Sequence, residues 1–194
     1  PNAIKVFNEK IFAMEFIDLM PPTIISAASD RIIEFLEIHK EIVIKPLNGM
    51  GGDNIYKVSL EDQPSLEKVK ILTQNSKIQI IGQKFLPKIV EGDFRILVID
   101  GKPFEYCLAR IPKDDSFLGN LAKGGTGIAK KITPNQKEIA EIVGARLKSE
   151  NILFAGIDII DDKLTEINIT SPTCAVEIYN QTGENPVARI FESL

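Results

Sequence analysis

Lys45 and the glycines Gly49, Gly51 and Gly52 are the residues whose types and spacing point most directly to chemistry. Ile42-Val43-Ile44 is a β-branched run that ends on Lys45 and opens through Pro46-Leu47-Asn48 into Gly49-Met50-Gly51-Gly52. Glycines let the backbone take positive φ so that successive N–H groups converge on an anion, and the lysine adds a point charge. The chemistry is a grip on phosphate. Neither familiar glycine fingerprint applies: a Walker loop ends in Gly-Lys-Ser/Thr, and the dinucleotide fingerprint opens a helix. Here Asp53-Asn54-Ile55-Tyr56-Lys57-Val58 follows and alternates like a strand. Strand, glycine loop, strand predicts a hairpin lid over phosphates; a plain turn with a solvated lysine is the alternative.

A second set lies in Ala155 to Ile169, where Asp158, Glu166 and Asn168 put oxygen donors into apolar strands. Buried carboxylates are costly unless paired or bound to a cation. Glu166 and Asn168 are two apart and share a face. Such donors suit Mg²⁺, which binds through one or two carboxylates plus phosphate oxygens; a solvated face of an antiparallel sheet is the alternative. With a two-residue turn at Asp161-Asp162, Asp158 would stand opposite Thr165 and Glu166 would point to the other face. A shared site therefore requires an odd loop centred on Asp162, or a bulge, that brings Asp158 opposite Glu166. Arg95 and Arg110 sit in two further apolar strands, and at least one is expected to face an anionic site, the alternative being an exposed sheet face paired with Asp93 or Glu105.

The elements that carry these residues follow from the pattern. Asn8 caps a short helix with Ile11, Met14 or Glu15, and Asp18 or Leu19 at helical spacing, stopped by Pro21-Pro22. Thr23-Ile24-Ile25 is a brief strand, and Ser29-Asp30 caps a helix running to His39, whose place at a helix C-terminus is structural. Pro64-Ser65 starts a helix with Leu66, Val69 and Leu72 on one face. Ile78 to Phe85 is a buried strand, and Asp93–Ile99 and Pro103–Ile111 form a hairpin turning at Asp100-Gly101. Pro112 to Gly127 reads as a long glycine-containing loop, a lid expected to be mobile without ligand. Pro134 opens a helix to about Glu150, the Asp158 hairpin follows, then a weaker helix after Ser171-Pro172-Thr173 and a polar tail.

The 194 residues suffice for one domain of two lobes, and no linker splits them. A net charge of -4 argues against nucleic acid or a membrane surface as partner. Cys107 and Cys174 lie outside any metal spacing, which suggests a reduced, cytoplasmic protein; no membrane-spanning run or signal peptide is visible. The chain opens on Pro1, and the expectation is a piece of a longer protein.

Asn8-Glu9-Lys10, Ile44 to Gly52, Gln83-Lys84-Phe85-Leu86-Pro87, Gly92-Asp93-Phe94-Arg95, Cys107 to Pro112, Gly119-Asn120-Leu121-Ala122 and Leu164 to Cys174, in this order, closely resemble bacterial glutathione synthetase. The resemblance implies an α+β ATP-grasp fold over 1–194, two lobes with antiparallel sheets and packed helices around a nucleotide cleft. The smaller lobe would span about 23–84 and the larger about 85–194. It implies ATP-dependent joining of γ-glutamylcysteine and glycine through an acyl phosphate, with Mg²⁺ as the metal and Mn²⁺ as an alternative. A stand-alone nucleotide-binding module, or a ligase for another amine, is the competing reading.

Carried over by position, Lys10 and Lys45 would touch ATP phosphates under the hairpin of Gly49, Gly51 and Gly52. Gln83, Lys84, Phe85 and Leu86 would line the adenine, with backbone bonds from Lys84 and Leu86, and Asp93 would lie near the ribose. Arg110 would steady the transferring phosphoryl and Asn120 would belong to the substrate lid. Arg95, Ser171 and Thr173 would sit near the peptide, and Asp158, Glu166 and Asn168 would hold the metals. The family pattern carries arginine where this chain has Leu118 and Thr126. It also carries an N-terminal domain, expected to be missing here, whose lost contacts would limit activity and favour a homo-oligomer.

Overall fold

The computed structural model describes residues 7–49, 52–113, 116–121 and 124–193. Along the chain the elements are α1 (Glu9–Phe12), β1 (Thr23–Ser26), α2 (Ser29–His39), β2 (Glu41–Pro46), β3 (Tyr56–Ser59), α3 (Gln63–Leu72) and β4 (Ile80–Lys84), followed by β5 (Asp93–Ile99), β6 (Lys102–Ile111), β7 (Thr126–Lys131), α4 (Pro134–Ser149), β8 (Phe154–Ile160), β9 (Lys163–Asn168), α5 (Ala175–Thr182) and α6 (Pro186–Glu192). They form two compact units, one of Met20–Pro87 and one in which the segment up to Leu19 joins Lys88 onward. The architecture is α+β, with two antiparallel sheets and helices packed on them.

In the Met20–Pro87 unit the sheet order is β1-β4-β2-β3. The alternation of β2 sends Ile42 and Ile44 to one face, where they are fully buried with Ile32 and Leu36 of α2 and Val69 of α3. Each such side chain contributes on the order of 1.5–3 kcal/mol by leaving water. Leu66 and Leu72 pack on the same cluster, as the helical spacing predicts. Ser29 does not cap α2 as expected: Ala28 is the cap residue, and the Ser29 hydroxyl is 2.8 Å from that of Thr73, tying the start of α2 to the end of α3. His39 closes α2 as expected, its ring 4.4 Å from that of Phe35.

In the other unit the order is β7-β6-β5-β8-β9. Asp100 and Gly101 both take positive φ, 47° and 76°, the tight hairpin turn expected there. Ile96, Val98, Ile157 and Ile159 make one face apolar, and α4, packed on β5, β6 and β8, buries Ile139, Val143 and Leu147. On the opposite face Leu97, Ile99 and Leu108 pack with Cys174 and with Ile178 of α5.

Three further sequence expectations change. The segment after Asn8 is one α-turn followed by a 3-10 stretch, Ala13–Leu19, and it buries Phe12 and Ala13 while Ile11 stays exposed. Thr126 and Gly127 belong not to a lid but to β7, which pairs along β6 from Ile111↔Thr126 to Tyr106↔Lys131. The polar tail holds a further helix, α6, capped by Asn185 with Pro186 at its first turn. The outer edge of β7 is met by one side chain: Gln181 accepts from Ala129 N at 2.8 Å and donates to the Gly127 carbonyl at 3.1 Å.

Candidate functional site

The charged residues of the five-stranded sheet converge because of one irregularity. Asp161 and Asp162, with φ of 47° and 57°, form a two-residue turn, and Ile160↔Lys163 and Ile159↔Leu164 pair regularly beyond it. Continued, that register would send Glu166 to the wrong face. The register instead shifts between Asp158 and Ile159, leaving Thr165 as the extra residue and setting Asp158 opposite Glu166 and Gly156 opposite Asn168. Thr165 Oγ1 donates to the Asp158 carbonyl at 3.1 Å, which pins the bulge. Arg95 is opposite Asp158 on the other side, and Asp93 is opposite Arg110. Strand alternation therefore gathers Arg110, Asp93, Arg95, Asp158, Glu166 and Asn168 on one face.

Their contacts form a network. Arg95 donates from Nε and Nη2 to the two oxygens of Asp158, the second at 2.8 Å. Arg110 Nη2 lies 2.9 Å from Asp158 Oδ1 and 2.6 Å from Asp93 Oδ2. Asn168 Nδ2 donates to Asp158 Oδ2 at 3.2 Å and to the Gly156 carbonyl at 3.4 Å. Lys10 Nζ, on α1, is 2.9 Å from Glu166 Oε1. Arg95 and Arg110 are only 5% and 4% exposed, and Lys10 5%. Gly156 is required by this packing, since a Cβ there would sit 2.8 Å from Arg95 Cδ and 3.0 Å from Pro172 Cβ.

Burial alone would push the Asp158 carboxyl up, but Arg110 and Arg95 outweigh it and hold the group well below the ordinary carboxylate range. Asp93 goes the other way. Burial, helped by repulsion from Asp158, raises it against the pull of Arg110, and its Oδ1 is buried without a hydrogen-bond partner among the described residues. Burial also opposes the charge of Arg110, yet Asp158 and Asp93 keep that guanidinium firmly protonated. Lys10, Arg95 and Arg110 face Asp93, Asp158 and Glu166, so cations and carboxylates balance.

Of the proposed metal ligands, Asp158 thus has both oxygens engaged by arginine, Glu166 has one oxygen on Lys10, and Asn168 turns its nitrogen toward Asp158 and its Oδ1 the other way. Among the described residues no group of three or more His, Cys, Asp or Glu side chains is arranged to hold a metal ion by itself. The donor set suits a hard cation that takes most of its oxygens from elsewhere, as Mg²⁺ does with phosphates.

In the Met20–Pro87 unit Lys45 and Gln83 share the sheet face opposite the helices, whereas Lys84, paired with Ile42, alternates to the helix side. Lys45 is 9% exposed and pairs with Ile81 at the end of β2. Gln83 is buried, and its Nε2 donates to Thr23 Oγ1 at 3.1 Å, so its side chain serves the sheet. Lys84 is exposed with its N–H on the Pro22 carbonyl, and Phe85 donates its N–H to the Glu41 carbonyl. The glycine hairpin forms as expected, from Glu41↔Ser59 to Ile44↔Tyr56. Gly52 takes φ 83°, and a Cβ on Gly49 would meet Pro46 Cγ at 2.9 Å. Gly51, with Met50, lies outside the described residues, as do 114, 115, 122 and 123 of the expected lid. Asn120 is half-buried and accepts from Gly125 N at 3.3 Å, and Leu118 is half-buried; Ser171 and Thr173 are exposed beyond β9.

Sequence reasoning overlooked four participants. Glu9 accepts from Ile169 N and Thr170 N, and Thr165 pins the bulge. Lys57 lies 2.6 Å from Glu41 and 3.9 Å from the Phe85 ring centre. Lys57 and Glu41 alternate onto the Lys45 face, a signal the sequence held. No local signal marks Thr165.

Residues 9–183 match the model of the family described as prokaryotic glutathione synthetase, ATP-grasp domain. Glutathione synthetase of Pseudomonas aeruginosa is 47% identical over 179 residues, covering 92% of this chain and 56% of that protein. Glutathione synthetase of Nitrosomonas europaea is 42% identical over 194 residues, covering 100% and 61%. The chain therefore spans somewhat over half the length of these curated relatives. Among solved structures, D-cycloserine synthetase DcsG superposes with TM-score 0.75 at 15% identity, covering 98% of this chain and 70% of that one. The ATP-grasp ligase PsnB, complexed with minimal precursor, Mg and ADP, gives 0.68 at 16%, covering 100% and 61%. These two likenesses bear on the fold, which is ATP-grasp. Among the described residues no helix is long and apolar enough to cross a membrane. By the match across residues 9–183 and the identities above, this chain belongs to the prokaryotic glutathione synthetase family, and the matched region is that family's ATP-grasp domain.

Proposed function

We propose that this chain binds Mg-ATP and serves the ATP-dependent ligation of γ-glutamylcysteine with glycine. The γ-phosphoryl group of ATP passes to the γ-glutamylcysteine carboxylate, releasing ADP; the glycine amine then attacks the acyl phosphate, forming the amide as phosphate leaves. The observation that carries the reading is the balanced charge of the face bearing Lys10, Arg95, Arg110, Asp93, Asp158 and Glu166. A free cation there would meet two buried guanidiniums, and a free polyphosphate would meet three carboxylates. A metal bound together with phosphate adds both signs and leaves each group a partner.

Glu166, Asn168 and Asp158 are the residues that would hold the magnesium, with manganese as an alternative; when bound, the metal would neutralise phosphate charge and orient the oxygens. Lys10 and Arg110 would exchange carboxylate partners for phosphoryl oxygens, while Arg95, bound through two nitrogens to Asp158, orients that carboxylate more readily than it releases it to a substrate. Lys45 and the amides around Gly49 and Gly52 would receive the phosphates. The base would meet the Lys84 carbonyl rather than its N–H, which Pro22 already takes, together with Leu86, Phe85 and the buried Gln83. Asp93, tied to Arg110, would reach a ribose only with its other oxygen. Asn120, Ser171 and Thr173 would border the peptide. Phosphoryl transfer asks for such positioning and charge rather than a protein nucleophile.

Calorimetric titration with ATP tests this directly. Binding is expected with magnesium and much weaker without it, and Asn168→Ala should abolish the magnesium dependence. Equal ATP affinity with and without the metal would overturn the reading.

A further inference from the structure

We infer that Glu9 is a positioning residue that holds the Lys10 ammonium at the charged end of the five-stranded sheet, an inference that rests on the phosphate-binding role given to Lys10 above. The helix carrying both residues, α1, is a single turn, and a turn that short does not persist by its own hydrogen bonds. Asn8 closes its start, its Oδ1 accepting from Lys10 N at 3.0 Å and Ile11 N at 3.1 Å. That cap is local and leaves open where on the sheet the turn sits.

Glu9 supplies the location. Its Oε1 accepts from Ile169 N at 2.9 Å and from Thr170 N at 3.1 Å, the two amides that follow Asn168 at the end of β9. One ionised oxygen receiving two N–H groups is a charge-assisted grip on backbone. Lys10, next in sequence, reaches Glu166 on the same strand at 2.9 Å. Consecutive side chains thus hold one strand at two points, Glu9 through the main chain past Asn168 and Lys10 through charge at Glu166.

The far end of the segment is fastened separately. Phe12 is buried, and Arg146 of α4 donates to Glu15 at 2.8 Å and lies 5.7 Å from the Phe12 ring centre. Those contacts keep the segment on the protein but sit beyond Lys10. A lysine is a point charge on four rotatable carbons, so an ammonium that must meet a phosphoryl oxygen needs its backbone fixed close by. Glu9 does this without touching the site, because the oxygen in question is given to β9.

The test is a double-mutant cycle read by calorimetric Mg-ATP binding, with amide exchange at Ile169 and Thr170 followed in parallel. Lys10→Ala is expected to weaken binding about tenfold, as loss of one charge-assisted contact would, and Glu9→Ala nearly as much. Glu9→Ala in the Lys10→Ala background should add nothing. Glu9→Gln keeps an acceptor of the same length without the charge and should restore binding and slow exchange in part, well above Glu9→Ala. Glu9→Asp, too short to reach, should behave like Glu9→Ala and takes its place should that variant not fold. Wild-type affinity in Glu9→Ala or Glu9→Asp while Lys10→Ala binds poorly would overturn the positioning role alone, as would effects that simply multiply in the double variant. Unchanged affinity in Lys10→Ala would overturn the role of Lys10 itself and this inference with it.

Discussion

One face of the five-stranded sheet has two ends of opposite character, separated on β5 and β6 by a single pleat. Leu97 and Leu108 lie under Cys174 and Ile178, in a cluster of ordinary core residues. Two residues along the same strands, Arg95 and Arg110 are nearly as inaccessible, yet carry full charge against Asp158 and Asp93. The apolar end gains stability by leaving water. The charged end gives up hydration that its ion pairs only partly offset, since a buried pair seldom outperforms apolar residues of similar size. A fold selected for stability alone would have continued the leucines. That it does not supports the role in ligand binding proposed above for the charged end.

Substitutions at the two ends should behave differently. Asp158→Ala, which leaves Arg95 and Arg110 buried face to face, should cost about 3–5 kcal/mol in urea unfolding and abolish Mg-ATP binding in whatever remains folded. Ile178→Ala should cost about 3 kcal/mol through its cavity while the folded protein binds Mg-ATP as before; parallel loss of affinity would erase the distinction between the ends. Lys45→Ala, in the other unit, is expected to weaken ATP about tenfold with an unchanged circular dichroism spectrum, the effect of one charge-assisted contact.

The smallest effect is in pH, and the two carboxylates give it opposite signs. Asp158 is held below its unfolded value, so its pairing stabilises the fold above about pH 3.9 and that contribution is lost as the pH falls. Asp93 is raised, because burial outweighs Arg110, so its contribution is present below about 3.9 and is lost as the pH climbs through the higher folded value. Asp93→Asn should therefore be more stable than wild type at pH 7 and no more stable near pH 3, as measured by urea unfolding at both. A gain that is the same at both pH values would show that Asp93 ionises freely in the fold.

Much of this arrangement was legible in the residues. Asp100-Gly101 announces its hairpin because positive φ is needed twice, and the glycine-rich turn after Lys45 announces another. The face shared by Glu166 and Asn168 follows from period two. Their alignment with Asp158 does not, because it depends on one unpaired residue at Thr165. Arg95 and Asp158 are 63 residues apart, and no local rule pairs them. Strand β7 escaped because its residues are mostly exposed and its glycine reads as loop. Helix α6 was missed although Asn185-Pro186 is an ordinary helix start; it is short, and its apolar Val187 and Phe191 stay exposed, so no buried stripe marks it.

The side chain of Gln181 has a bearing on how this protein behaves in a crowded solution. A sheet's outermost strand offers unpaired N–H and C=O groups to any other extended chain, and that template seeds edge-to-edge aggregation. By taking Ala129 N–H and giving to the Gly127 carbonyl, the Gln181 carboxamide reproduces both hydrogen bonds of a neighbouring strand with one side chain, borrowed from α5. At the opposite border, α1 and the turn after it pack along β9. Among the described residues the five strands thus end without a sixth, and the exposed Ile128 of β7 stands beside a backbone that another chain would have to compete with Gln181 to reach.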